Sequence, residues 1–294
     1  MIVITGPTGN VGAEVARLFV DDPAAPPFRV AAHSADSVRR ELGERAPVVP
    51  FDYDDRSTWP AVLEGVERLF LVFPLPSPRM VNRRMTPLVD AAVAAGCRHV
   101  VYLTVPGADR QKVVPHHGVE RHIQASGAHH TFLRASFFMQ NLHRRVSTHG
   151  VDIADHDEIF IPAGKGSTTF VDSRDVAEVA RQALLDPAAH QDVAHTLTGA
   201  ERLDFDQVAA ILTEVLGRPI RYTHPSLPRF WARMRRRGVG VDTIAFMSIV
   251  YTLTRTGRNE PMTQDLPRLL GRAPRTLREF AEDNRWRWEQ HAWT

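Results

Sequence analysis

The first dozen residues carry the pattern that most restricts the fold of this chain. A run of apolar and β-branched residues, IVIT at 2–5, is followed at once by GPTGNVG, in which three glycines lie three residues apart. The run predicts a buried strand, and the apolar residues that recur at helical spacing from Asn10 predict a helix. A strand, a glycine turn and a helix in this order form a dinucleotide-binding fingerprint, although the spacing here is GxxGxxG and not GxGxxG. The glycines allow a tight turn and close approach of a pyrophosphate, and the helix N-terminus supplies N–H groups for the phosphates. The predicted phosphate-binding residues are Gly6, Thr8, Gly9, Asn10, Val11 and Gly12.

Short apolar runs alternate with amphipathic segments through the first half of the chain. This alternation predicts an α/β fold with a doubly wound parallel sheet, because strands buried on both faces read as continuous apolar runs. Predicted strands cover 28–33, 47–51, 68–73, 99–104 and 130–134, and predicted helices include 59–66, a helix beginning near Pro87, and 117–126.

The second half has a different pattern, which predicts a smaller and mostly helical C-terminal substrate lobe. Residues 150–170 are expected to be irregular, and the later predicted elements are helices at 172–184, 205–216 and 227–253, a strand at 195–199, and a closing helix at 276–286. The predicted division is a dinucleotide-binding domain at 1–150, with returning segments at about 170–200, and a mixed region at 151–294 whose substrate-binding part is mainly 200–294.

Composition argues against several classes of protein. The formal charge of +2 gives no electrostatic footprint for nucleic acid, and the RMRRR run at 233–237 is interpreted as a basic helix face. The 14 histidines are scattered, without HExxH or CxxC spacing, so no metal site is predicted. With one cysteine, no run of 18 apolar residues and no leader pattern, the chain is expected to be cytoplasmic, without a membrane partner. A monomer and a homodimer both stay open.

Several motifs together resemble one known family. TGPTGNVG (5–12) resembles the TGxTGxxG signature of atypical short-chain dehydrogenases of the NmrA-like type. The other segments that resemble the family are 51–55, 116–142, 170–180, 196–222 and 261–283, so the resemblance covers nearly the whole chain. It implies a Rossmann fold, an NAD(P) cofactor, and quinone-reductase-like or isoflavone-reductase-like relatives, without indicating the substrate.

The end of the second predicted strand bears on the choice of cofactor. NAD enzymes of this fold place a carboxylate there, whereas this strand ends in His33 and Ser34. The resemblance implies an arginine at about His33 in members that use NADP, and Arg39 lies close enough in sequence to bind a 2′-phosphate, or else forms a solvated helix face. NADP(H) is therefore favoured over NAD(H). The resemblance further implies that Asp52 and Tyr53 contact the adenine and that the backbone at Phe73 and Pro74 lines the cofactor ribose.

The catalytic apparatus of ordinary short-chain dehydrogenases, Tyr-x-x-x-Lys, is missing. None of the four tyrosines is followed by lysine four residues later. Thr104, at the end of the fifth strand, is a candidate to bind a substrate carbonyl, or it caps the next turn. His116 and His117 precede Glu120 at helical spacing, so a carboxylate that raises the pKa of a histidine and makes it a proton donor is one interpretation. The other is a surface or helix-capping histidine beside a solvated Glu120.

The resemblance and these residues together favour one function over two others. The favoured function is NADPH-dependent reduction of a small carbonyl-, quinone-, enone- or imine-type molecule. A non-enzymatic redox sensor and an isomerase or dehydratase stay open as alternatives. Candidate substrate contacts, which serve equally well as core packing, are Phe137, Phe138, Met139, Asn141 and Trp231.

Overall fold

The computed structural model describes residues 1–74, 77–143, 148–257 and 262–289. Its strands, in chain order, are β1 (Ile2–Thr5), β2 (Phe28–Ala32), β3 (Val48–Pro50), β4 (Arg68–Leu71), β5 (His99–Thr104), β6 (His129–Ala135), β7 (Phe137–Phe138), β8 (Glu158–Ile159), β9 (Ser167–Val171), β10 (Val193–Leu197), β11 (Arg202–Asp204) and β12 (Arg221–Tyr222).

The helices surround these strands and also fill most of the C-terminal third. They are α1 (Asn10–Val20), α2 (Ala35–Leu42), α3 (Trp59–Leu63), α4 (Pro78–Met80), α5 (Thr86–Ala94), α6 (Pro115–Ala125), α7 (Thr148–His156), α8 (Ser173–Leu185), α9 (Pro187–His190), α10 (Phe205–Leu216), α11 (Leu227–Arg236), α12 (Val241–Arg255), α13 (Asp265–Leu270) and α14 (Leu277–Asp283). Three 3₁₀ segments, at 56–58, 139–142 and 285–288, and one π-helical segment, at 81–85, complete the regular structure. Within these ranges, no helix is both long enough and apolar enough to cross a bilayer.

The chain forms two compact units. The first comprises Met1–Ala135 and Ser173–Thr196, and the second comprises Ser136–Asp172 and Leu197–Thr294. The chain therefore leaves the first unit after β6 and returns to it for α8.

A seven-stranded sheet with helices on its faces forms the first unit, and it confirms the predicted doubly wound α/β fold. The strand order is β3-β2-β1-β4-β5-β6-β10, and β1 pairs in parallel with both β2 and β4. The order reverses between β1 and β4, and ligands of such sheets bind outside the carboxyl ends of the strands at this switch point. One face of the sheet packs on α3, α5 and α6 through a fully buried cluster that includes Leu69, Val100 and Phe132.

The second unit corrects two predictions. The segment 150–170, predicted to be irregular, contains the end of α7, β8 and most of β9, whose short length left little periodic signal in the sequence. The predicted helix 227–253 is two helices, because Gly238 adopts a φ of 78° after α11 and Gly240 caps α12. The core of this unit includes Phe170, Phe205 and Phe230.

Candidate active site

In the glycine turn after β1, two of the three glycines are required by the fold and the third is not. Gly6 has a φ of 65°, which L side chains rarely adopt, and a Cβ on Gly12 would lie 2.1 Å from the Gly6 carbonyl oxygen. Within the described part of the chain, a Cβ on Gly9 would meet only that same oxygen, at an ordinary 3.4 Å. The packing of the chain therefore excludes a side chain at Gly6 and Gly12, whereas the missing side chain of Gly9 leaves open space. Open space of this kind at a glycine turn would serve as a cradle for a pyrophosphate.

The N-terminus of α1 completes this cradle. Its N-cap is Gly9, no side chain caps the helix, and its first turn carries no acidic residue, so the helix dipole faces outward uncompensated. Thr8 is exposed at the tip of the turn, whereas the Val11 side chain is 2% exposed and packs inward. Val11 therefore has only its backbone to offer a ligand.

Hydrogen bonds fix the carboxyl ends of β1, β3 and β4 relative to one another. The Thr5 hydroxyl donates to the Phe70 carbonyl at 2.9 Å and accepts from the Val72 amide at 3.0 Å. The Tyr53 hydroxyl donates to the Val72 carbonyl at 2.8 Å. The crevice at the switch point is thus held together before any ligand binds.

The residues predicted to select between NADP(H) and NAD(H) differ in the contacts that they make. His33 is 83% exposed just beyond β2, and its Nδ1 lies 3.4 Å from a carboxylate oxygen of Asp52, which follows β3. The Ser34 hydroxyl accepts from the Ser37 amide and caps α2. Arg39, in contrast, pairs at 3.6 Å with Glu44, beyond the C-terminal end of α2. This pairing does not support the predicted contact between Arg39 and a 2′-phosphate, which leaves His33 as the candidate for that contact at the strand end.

A buried tyrosine and histidine meet behind the crevice. The Tyr102 hydroxyl of β5 lies 2.7 Å from Nδ1 of His116 on α6, and the two residues are 0% and 5% exposed. Burial lowers the pKa of His116 to about 3, and burial raises the pKa of Tyr102 well above its ordinary value. The ring of Phe73, which follows β4 just before Pro74, lies edge-on to His116 at 5.4 Å between centroids. The imidazole is therefore neutral and adjoins the segment predicted to contact the cofactor ribose.

The predicted partnership between a histidine and Glu120 is wrong. The Glu120 carboxylate accepts from the Thr104 hydroxyl at 2.9 Å and from Arg134 at 2.6 and 3.2 Å. Nδ1 of His117 instead lies 2.7 Å from the Ala108 carbonyl. The carboxylate is neutralised by the guanidinium from β6, and the pKa of His116 is lowered where a raised value was expected. The Thr104 hydrogen is likewise directed to the carboxylate, so this hydroxyl is not a free donor for a substrate carbonyl.

The predicted substrate contacts belong to the second unit and have packing roles there. The Phe137 ring lies 5.2 Å from the Phe170 ring, and Met139 is 1% exposed in the core. The Trp231 indole donates to the Ser248 hydroxyl at 2.9 Å. Phe138 and Asn141 are half-buried, in β7 and in the 3₁₀ turn that follows it. These positions agree with the core-packing alternative for Phe137 and Met139.

The sequence alone predicts no role for two residues of the site, Tyr102 and Arg134. Tyr102 was considered only for the lack of a lysine four residues later, and Arg134 was not singled out. Their partners lie 14 residues away on α6, which no local pattern reveals. In both cases the sequence shows a polar side chain within an apolar strand, which indicates a hydrogen-bond partner because a buried phenol or guanidinium needs one. Among the described residues, no group of three or more His, Cys, Asp or Glu side chains is arranged to hold a metal ion.

Comparison with known proteins identifies the family of this chain. An NAD(P)H azoreductase from Xenophilus azovorans is 33% identical over 286 residues, which is 96% of this chain and 97% of that protein. Agroclavine dehydrogenase from Claviceps fusiformis is 30% identical over 98% of both chains. The crystal structure of Citrobacter sp. triphenylmethane reductase complexed with NADP(H) superposes with a TM-score of 0.80 at 21% identity, over 96% of this chain and 99% of that one. The model of the NmrA-like family matches residues 1–263. The chain therefore belongs to the NmrA-like family.

Proposed function

We propose that this protein is an NAD(P)H-dependent oxidoreductase that reduces a small molecule. The observation that carries the proposal is the open space at Gly9, because this glycine is not required by the packing of the chain and lies where a pyrophosphate binds. The names of the two relatives that are at least 30% identical, a reductase and a dehydrogenase, support the same class of reaction.

The residues of the first unit fit a dinucleotide. The glycine turn and the N-terminus of α1 would hold the pyrophosphate, and the segments at Asp52–Tyr53 and Phe73–Pro74 would line the adenosine and ribose. We propose a preference for NADP(H), because β2 ends without a carboxylate for the ribose hydroxyls and the exposed His33 side chain is a potential donor to a 2′-phosphate.

The chemistry expected of the chain is electrostatic. When bound, a reduced nicotinamide would supply a hydride, and the acceptor would develop negative charge on oxygen or nitrogen. We propose that the neutral His116 imidazole donates a hydrogen bond to that charge, and that water supplies the final proton. Substrates of this kind contain a quinone, carbonyl, enone, imine or azo group.

The experiment measures binding first and turnover second. NADPH, NADH, NADP⁺ and NAD⁺ are titrated into the purified protein by calorimetry, and the tightest reduced cofactor is then tested with a panel of quinones, azo dyes, enones, ketones and imines. Tight NADPH binding with oxidation by at least one acceptor is expected. Binding that discriminates between oxidised and reduced forms without turnover would instead support the redox sensor. Conversion of a compound without net cofactor oxidation would support the isomerase or dehydratase.

A further inference from the structure

The contact between Tyr102 and His116 determines more than the position of the imidazole ring. Both side chains are buried, and both are uncharged near neutral pH, since burial lowers the pKa of His116 to about 3 and raises that of Tyr102. A neutral imidazole carries one hydrogen, on either Nδ1 or Nε2. The hydrogen bond at 2.7 Å therefore exists in one of two directions.

The surroundings of the phenol decide the direction. The Tyr102 hydroxyl has no other hydrogen-bond partner in the described part of the chain. If Nδ1 carried the hydrogen and donated it, the phenol hydrogen would be buried without an acceptor, which is unfavourable. The phenol therefore donates to Nδ1, and the imidazole hydrogen lies on Nε2.

Nε2 of His116 is the atom left to act on a ligand. It has no hydrogen-bond partner among the described residues. Unlike Nδ1 of His99 and Nδ1 of His143, which are fully enclosed and have no partner, it is not fully enclosed. A 95%-buried ring thus presents one donor toward accessible space. The contact with Phe73, from the segment after β4, locates that donor beside the proposed cofactor crevice.

We propose that Tyr102 is a positioning residue that holds His116 as its neutral Nε2–H tautomer, so that Nε2–H donates a hydrogen bond to the substrate atom on which negative charge develops. The part of the proposal that concerns the hydrogen bond to the substrate, its catalytic half, rests on the proposed function. No proton leaves the histidine in this step, because the hydride forms the new bond to the acceptor and water protonates the resulting anion. The neutral donor stays available over the whole neutral pH range, which a titrating imidazolium would not.

The test combines a spectrum with kinetics. Long-range ¹H–¹⁵N correlation spectra of the full chain labelled at histidine report which ring nitrogen carries hydrogen, and the His116→Gln variant assigns the signal. Wild type is expected to show His116 as Nε2–H. In Tyr102→Phe, the Nε2–H fraction is expected to fall and kcat to drop about tenfold, with the Kd for NADPH and the KM for the acceptor little changed.

Tyr222→Phe is the matched control, because it also removes a buried phenol, one whose hydroxyl donates to the Ile161 carbonyl of the second unit. This variant should keep the His116 tautomer and kcat. A wild-type spectrum with hydrogen on Nδ1 would overturn the proposal even if Tyr102→Phe did not fold. A Tyr102→Phe enzyme with unchanged kcat would also overturn it. Failure of wild type to oxidise NADPH with any acceptor would instead overturn the proposed function and the catalytic half, while the spectrum still decides the tautomer.

Discussion

At the scale of single residues, the three glycines of the first turn have different physical reasons to be glycine. Gly6 needs a positive φ and Gly12 needs close contact between α1 and the turn, and both needs are internal to the fold. Gly9 has neither need. The dinucleotide-binding fingerprint assigns different roles to the three glycines, and the distances to neighbouring atoms agree with folding roles for Gly6 and Gly12.

This separation predicts opposite behaviour for two alanine variants. Gly12→Ala places a methyl group 2.1 Å from a carbonyl oxygen and should destabilise the protein by about 1–3 kcal/mol, because backbone has to move. Gly9→Ala should leave the melting temperature nearly unchanged and weaken NADPH binding about tenfold or more, because the methyl group fills the cradle. Thermal unfolding and calorimetric titration measure the two effects. Equal affinity of wild type and Gly9→Ala for NADPH would mean that no pyrophosphate lies against this residue.

At the scale of elements, α6 is joined to the sheet by charge as well as by apolar packing. Glu120 on α6 has a side chain that is 3% exposed, and Arg134 on β6 neutralises it. Arg134 also lies 3.6 Å from Asp109 in the loop between β5 and α6. The ion pair therefore fixes the helix that carries His116 and part of the loop that precedes it.

Removal of the cationic partner should leave a buried carboxylate without compensation. Arg134→Met is expected to lower the free energy of unfolding by about 3–5 kcal/mol, because the Thr104 hydroxyl would be the one donor to Glu120 left among the described residues. Denaturant unfolding measures the change. Arg110→Met is the control, since Arg110 is 83% exposed in its pair with Asp109, and it should change stability by less than about 1 kcal/mol. Similar stabilities of the two variants would show that Glu120 does not depend on Arg134.

Elements with strong local patterns were predictable, and contacts between elements were not. β5 has the predicted bounds because HVVYLT is a continuous apolar run, and α10 ends as predicted before Gly217, which adopts a φ of 69°. α6 begins at Pro115, two residues before its predicted start, since proline fits the first turn of a helix. The Glu120–Arg134 pair depends on the parallel register of β5 and β6, which no spacing within the chain encodes.

At the scale of the whole molecule, the buried histidines link stability to pH. Burial lowers the pKa of His99 and His149 to about 4 and that of His116 and His143 to about 3. In the unfolded chain these groups have pKa values near 6.5, so between that value and the lowered ones the unfolded state binds more protons. The contribution of these neutral histidines to the free energy of unfolding is therefore fully present above about pH 6.5 and is lost as the pH falls toward 4.

The expected slope is about 1.4 kcal/mol per histidine for each pH unit within that window. Urea unfolding at a series of pH values between 7.5 and 4.5 (roughly the window in which the shifted histidines act) measures it. His143→Gln should reduce the slope by the contribution of one histidine, about 1.4 kcal/mol per pH unit. His156→Gln, which changes an exposed histidine, should leave the slope unchanged. A stability that is flat from neutral pH down to about 5 would contradict the neutral, buried state of these side chains, including that of His116.

In the proposed function, the first unit binds a reduced nicotinamide dinucleotide, whose hydride is transferred to a small acceptor. NADPH deuterated at the transferable position of the nicotinamide is incubated with the ketone, enone or imine that turns over best in the panel, and both products are analysed by mass spectrometry. An acceptor that takes the hydride on carbon is used because deuterium on oxygen or nitrogen would exchange with water. One deuterium is expected in the reduced acceptor for each NADP⁺ formed when the label is on the transferred face. In His116→Gln this ratio should stay the same, while the rate of transfer falls with kcat. Tight NADPH binding with every deuterium retained on the nucleotide, from either face and with every acceptor, would contradict the proposed function.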